Sequence, residues 1–361
     1  MMTNPAIDAL MRSGLAERVF PGAVLLAAKG DAPFFFEAYG HANLFSGQPM
    51  TRDTVFDLAS LTKPLATTLA VARLADRGMI DLDQAIVHWL PMLGDRDMAA
   101  ITTRQLLCHQ GGLPAHRRFY MHLKRMRPAM RPNALMDLLK QTALICPPGS
   151  QRVYSDLGFM LLCRLVEAVS GTCMDRFLDS HIYAPMGVQG DLFFVNLTSG
   201  HRPRRDFAAT ELCPLRNRLL IGEVHDDNAW FVGGIDGHAG LFGTAKAVFR
   251  LLRGLVNPLR SDGQRRIFSN RMLNDILTGC DANPLPLGFD RPAASSSSAG
   301  QHFSDDSVGH LGFTGVSFWM DLQQDVCIVL LTNRVHPTRW NNRLHRFRPQ
   351  IHDRIMELFG N

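Results

Sequence analysis

Strand-like segments stand at both ends of this 361-residue chain, and a long helix-patterned stretch separates them. Residues 22–29, Gly-Ala-Val-Leu-Leu-Ala-Ala-Lys, are almost wholly apolar, and the turn signal Gly30-Asp31 leads into a second such run at 33–39. The two read as an antiparallel hairpin. Near the other end, residues 314–320 alternate and residues 326–332 are nearly continuously apolar, as a central strand is. Between these ends the apolar spacing is helical. Leu61, Leu65, Leu69 and Ala72 share one face of a helix that stops near Gly78, and Leu157, Leu161, Leu165 and Ala168 share another over 156–169. Helices are also predicted at 5–18, from Thr102 to the break at Gly111-Gly112, at 244–255 and at 341–359.

Strands at both termini with helices between them imply an α/β (α+β) fold. Its antiparallel sheet is built from both chain ends and flanked by helices, and a mostly helical lobe is inserted into it. The sheet domain takes residues 1–60 and 240–361, the helical domain residues 61–239, and the cleft between them is the natural ligand site. A low-complexity run at 293–300 reads as a flexible loop placed where it can border that cleft.

Composition removes several classes of function. The formal charge is +5, carried by 33 Arg and 5 Lys, and the basic residues concentrate in 116–131 and in His201-Arg202-Pro203-Arg204-Arg205. Only Phe119 and Tyr120 accompany them, so both stretches are expected to be solvated loops, with no nucleic-acid partner. The seven Cys are odd in number and form no C-x-x-C pair, which points to free thiols in a reducing compartment rather than disulfides or zinc. The N-terminal segment is interrupted by Asp8, Arg12, Glu17 and Arg18, and no run of membrane-spanning length appears. The expectation is a cytoplasmic protein without a membrane partner, acting on a small molecule or peptide, with no metal or cofactor. His225-Asp226-Asp227 is expected to be a loop cap or hydrogen-bond network, because no companion ligands stand at known spacing.

Three segments carry chemistry. In Ser60-Leu-Thr-Lys63, residues three apart lie on one helix face, so the amine reaches the hydroxyl. A serine needs such a neighbouring base to become a nucleophile. Composition alone gives about 0.24 chance matches to this pattern, and one occurs. Pro64 is tolerable only if the helix starts close to Ser60. Tyr154-Ser155-Asp156 follows Pro147-Pro148-Gly149 and opens a helix, and a phenol near a lysine is a candidate proton carrier. In His310-Leu311-Gly312-Phe313-Thr314-Gly315, glycine lets a substrate approach the backbone. There the Phe313 N–H, with that of Ser60, can form an oxyanion hole, and His310 can donate to a substrate carboxylate.

In this order and spacing, with the glycine-rich run from Gly237 to Ala245, the segments resemble the class C β-lactamase, penicillin-binding-protein and family VIII esterase group. The resemblance covers roughly residues 15–358. It implies a β-lactamase/transpeptidase-like fold and an acyl-enzyme on Ser60. Lys63 and Tyr154 would move protons, either one as base, and Asp156, His310 and Gly312 would meet substrate. Two departures matter. The usual Y-x-N is Tyr154-Ser155-Asp156, whose carboxylate can pair with Lys63, and the usual K-T-G is His310-Leu311-Gly312, a weaker cation without a hydroxyl. Both favour ester or peptide substrates over β-lactams. An acyltransferase with the same nucleophile, or a ligand-binding protein without catalysis, are the alternatives. No G-x-S-x-G, H-E-x-x-H or Walker A pattern is present.

Overall fold

A computed structural model describes residues 4–94, 97–199, 203–256, 267–280 and 283–359. The two ends of the chain meet in one antiparallel sheet of six strands. Its order is Gln48–Pro49, Ala32–Asn43, Gly22–Lys29, Val326–Thr332, Val316–Asp321 and Val308–Gly312. The joint between N- and C-terminal halves is the pairing of the two most apolar strands, with Ala23 opposite Thr332 and Lys29 opposite Val326.

Alternation along these strands gives the sheet two buried faces. Val24, Leu26 and Ala28 face the helical lobe together with Cys327, Val329 and Leu331. Ala23, Leu25 and Ala27 face the other way with Val326, Ile328 and Leu330, under the terminal helices Pro5–Ala16 and Leu344–Met356. The lobe-side cluster continues without a break through Leu61, Leu65 and Leu69 into Leu157, Leu161 and Leu165 of the helix Asp156–Ser170. Sheet and lobe therefore share one apolar core. A small sheet of Phe56–Asp57, Leu241–Gly243 and Leu192–Phe194 lies at their junction.

Three expectations change in detail. The helix predicted from Leu61 is compound: a 3-10 turn Ala59–Leu61, a π-helical stretch Lys63–Thr68 and an α-helix Leu69–Asp76. Pro64 falls in its first turns, where a missing N–H costs little. The strand predicted from Thr314 begins at Val316, because Gly315 sits at φ +108 in a turn and Thr314 donates its hydroxyl to Asp57 O at 2.7 Å. The segment ahead of that turn is a strand of its own, Val308–Gly312. Lastly, the 293–300 loop packs against the C-terminal helix, with Ala299 buried in the outer cluster and Gly300 against Asp353. None of its residues lines the cleft. Of the second basic stretch, His201 and Arg202 lie outside the described residues. Among the described residues no single helix is long and apolar enough to cross a membrane.

Gly312 is where the edge strand touches the start of the lobe. A Cβ there would lie 2.8 Å from Leu58 O and would overlap Val316. Gly312→Ala is expected to cost about 1–3 kcal/mol of stability by overpacking. Thermal unfolding checks this, and an unchanged midpoint would show that the approach leaves room for a methyl group.

Candidate active site

Ser60 stands at a tight strand-to-helix turn. The strand Phe56–Asp57 ends, Ala59 takes the left-handed conformation at φ +46, and the 3-10 turn begins at once. Such backbone strain in a non-glycine persists only where surrounding structure holds it. Asp57 supplies that hold. Its buried carboxylate accepts the Ala59 N–H at 2.9 Å and the His225 N–H at 2.6 Å.

Lys63, one helical step on, is wholly buried. Its ammonium donates to Ser60 Oγ at 3.1 Å, to Asp156 Oδ1 at 2.8 Å and to the His238 carbonyl at 3.2 Å. Burial alone would discharge it, but the carboxylate of Asp156 and the phenol of Tyr154 raise its pKa above the ordinary lysine range. Asp156 itself would be raised by burial, yet Lys63 and a contact of 3.2 Å with His116 Nδ1 hold it well below the usual carboxylate range. The Tyr154 ring lies beside the ammonium, 4.8 Å from Nζ to the ring centre. Although one edge of this ring faces the cleft, loss of hydration at the hydroxyl raises the phenol pKa. Lys63 and a hydrogen bond with Ser60 pull it down.

The three segments singled out in the sequence therefore converge. Ser60, Tyr154, Asp156 and Phe313 line one cavity of about 450 Å³, with Lys63 beneath its floor. Phe313 is held there by Gly312 and by its ring, which is stacked on His225 at 5.5 Å with the Arg334 guanidinium 4.9 Å from its centre. His310 is placed differently from the expectation. It shares a strand face with Val308 of the core, is 1% exposed, and bonds its own strand, Nδ1 to Leu311 O at 2.8 Å. Burial lowers its pKa, so it stands neutral behind Tyr154 at 5.9 Å and presents no cation to the cavity.

Other residues of the site lie in segments noted in the sequence, but without a role assigned to them there. His238 forms the cavity wall, 2.9 Å from Asp226 Oδ1. Burial would lower its pKa, but the Asp226 carboxylate raises it to about 9, leaving a fixed imidazolium beside Lys63. Asp226 also caps the helix Asp227–Phe231, and Asp227 pairs with Arg216 at 2.9 Å, so 225–227 is a cap and hydrogen-bond network. Among the described residues no His/Cys/Asp/Glu group is arranged to hold a metal ion.

His109 is a further unforeseen residue. Its carbonyl accepts the Val153 N–H at 2.8 Å and its Nδ1 the Ser155 N–H at 3.0 Å, while its ring packs on Tyr154 at 4.5 Å. One residue thus fixes Tyr154 from both flanks and one face. His109 adopts φ +59, and nothing in its spacing announces that role.

A buried ammonium bonded to a serine hydroxyl, on a two-ended sheet with an inserted helical lobe, defines a β-lactamase-related serine hydrolase. Residues 7–350 match the family described as Beta-lactamase, and the chain belongs to that family. It is 32% identical over 349 residues to the N-acetylmuramyl-L-alanine amidase of Bacillus subtilis, covering 88% of this chain and 78% of that one. Two solved structures share the fold. EstCE1, a hydrolase with promiscuous acyltransferase activity, has a TM-score of 0.74 at 21% identity and covers 97% of both chains. Unliganded simvastatin synthase (LovD) from Aspergillus terreus, as its selenomethionyl derivative, has a TM-score of 0.74 at 19% identity and covers 100% of both.

Two variants separate the contacts of His109. His109→Leu removes the Nδ1 acceptor, and His109→Asn keeps an acceptor near that place. The Leu variant is expected to lose about 10–100-fold in kcat with little change in KM. The Asn variant should recover most of this, and neither change should matter in a Tyr154→Phe background. An equal loss in that background would show that His109 does not act through Tyr154.

Proposed function

We propose that this protein hydrolyses ester, amide or peptide bonds through an acyl-enzyme on Ser60. The observation that carries the reading is the 3.1 Å contact of Ser60 Oγ with the Lys63 ammonium at the floor of the cleft. Attack by Oγ on a carbonyl forms the C–O bond of a tetrahedral intermediate, whose oxyanion is met by the Ser60 and Phe313 amides. Collapse expels the leaving alcohol or amine, which takes up the proton first removed from Oγ. Water then repeats the sequence and frees the acid.

Asp156 decides which group takes that proton. Lys63 and Tyr154 titrate as a coupled pair, and one proton removed from the pair leaves either amine with phenol or ammonium with phenolate. A carboxylate 2.8 Å from Nζ favours the ammonium, so Tyr154 is the base and Lys63 steadies its phenolate. Loss of hydration and, after it, the same carboxylate raise the phenol pKa, so the reactive form grows as pH rises. The absence of a cation at His310 supports ester, amide or peptide substrates over β-lactams. Acyl transfer to an alcohol or amine acceptor is the second reading. It is favoured by the likeness to EstCE1, a hydrolase on this fold with promiscuous acyltransferase activity.

Intact-mass analysis after a fluorophosphonate or p-nitrophenyl ester should show one adduct on the wild type and none on Ser60→Ala. Identical labelling of the two would reject the nucleophile. Product analysis with an added alcohol separates hydrolysis from transfer. The value of kcat/KM is expected to rise about tenfold per pH unit between roughly pH 7 and 9. Asp156→Asn removes a charge that raises both Lys63 and Tyr154, so its profile should move to lower pH by about one unit or more. A profile unmoved by Asp156→Asn would remove Tyr154 from the role of base.

A further inference from the structure

About half of the described arginines outside residues 117–131 have a carboxylate partner. Arg104 pairs with Asp83, Arg216 with Asp227, Arg253 with Asp31 and Asp325, and Arg339 with Glu211. Even in the second basic stretch Arg205 finds Asp191 at 3.2 Å. The segment 117–131 has no such pair along its whole length. It carries Arg117, Arg118, Lys124, Arg125, Arg127 and Arg131, with no Asp or Glu between Ala115 and Met136. Among the described residues none of these six cations has a carboxylate partner. Arg117 donates only to the His116 carbonyl, and Arg131 only to the carbonyls of Met126 and Phe231.

The segment is nonetheless well anchored. Phe119 and Leu123 point into the core, and the helix Tyr120–Leu123 leads into the 3-10 turn Pro128–Met130. Every residue from Lys124 to Met130 is exposed. Three methionines stand among the charges, Met121, Met126 and Met130, at 44%, 41% and 52% exposure. Flexible apolar side chains interleaved with unpaired cations match the interface of an anionic bilayer, where ammonium and guanidinium groups meet headgroups and the thioethers enter the acyl boundary. A nucleic acid would want outward aromatic rings for stacking, and Phe119 is buried instead. His116, Arg118 and Tyr120 also line the catalytic cavity, so this surface adjoins its mouth.

We propose that residues 117–131 form a peripheral docking surface for anionic lipid bilayers and bring the mouth of the cleft close to the headgroup layer. This departs from the expectation of solvated loops with no membrane partner. What changes the reading is the outward placement of the three methionines and the missing counter-charges, both of which depend on the fold.

The full-length protein should sediment with vesicles of phosphatidylcholine and phosphatidylglycerol, not with phosphatidylcholine alone, and release as salt is raised. Lys124→Glu/Arg125→Glu/Arg127→Glu should lower partitioning by about 100-fold or more. Met121→Ser/Met126→Ser/Met130→Ser, which keeps every charge, should lower it by about tenfold. Both variants should keep wild-type turnover of a soluble ester, and Ser60→Ala should bind vesicles as the wild type does, so failure of the catalytic reading leaves this test intact. Absence of sedimentation at low salt, unchanged binding by the charge-reversed variant, or tighter binding to duplex DNA than to vesicles would each overturn the proposal.

Discussion

A lysine with no exposed surface cannot stay charged in a protein interior unless its surroundings replace the water it has lost, and Lys63 is such a residue. Its replacements come from three places along the chain. Ser60 belongs to its own turn, Asp156 opens the long lobe helix, and the His238 carbonyl lies in the glycine-rich run before the strand Leu241–Gly243. Losing the Asp156 carboxylate would leave a buried charge unpaired, a situation that costs several kcal/mol in measured cases. The ammonium therefore ties the Ser60 turn, the start of the lobe helix and the cleft wall into a single geometry.

Around that cation the charges alternate. Lys63 meets Asp156, and the His238 imidazolium beside them meets Asp226. The floor of the cleft is close to neutral as a whole but strongly polarised locally. A field fixed in this way acts on a reacting carbonyl without reorganising, which is where preorganised sites gain most of their advantage over water. Tyr154 lies inside this field, and His109 limits where its ring can go.

The two departures from the usual motif pattern acquire a physical meaning here. A carboxylate in place of the expected amide at position 156 brings a negative charge against Lys63 and fixes its protonation state. The histidine in place of lysine at 310 faces the core side of its strand and is kept neutral by burial, so the cavity loses a cation on that wall. Fixed positive charge in the lining comes instead from His238, held by Asp226, and from Arg118 and Arg339.

Much of this was legible from residue order alone. The apolar, period-two runs at both chain ends specify a shared sheet, because strands buried on both faces must pair with each other. The spacing of Ser60 and Lys63 brings hydroxyl and amine together on any helix-like turn. A carboxylate at 156 can pair with Lys63, as the departure from the usual amide implies, although the resemblance places that residue against substrate. Local pattern could not say that the turn after Gly312 starts a new strand or that His310 points behind Tyr154. Nor could it say that His109, His116 and His238 join the site, or that the segment 117–131 lacks counter-ions. Each of these depends on which side chains meet across long separations in sequence, and on how much water is left around them. Only the folded chain sets both.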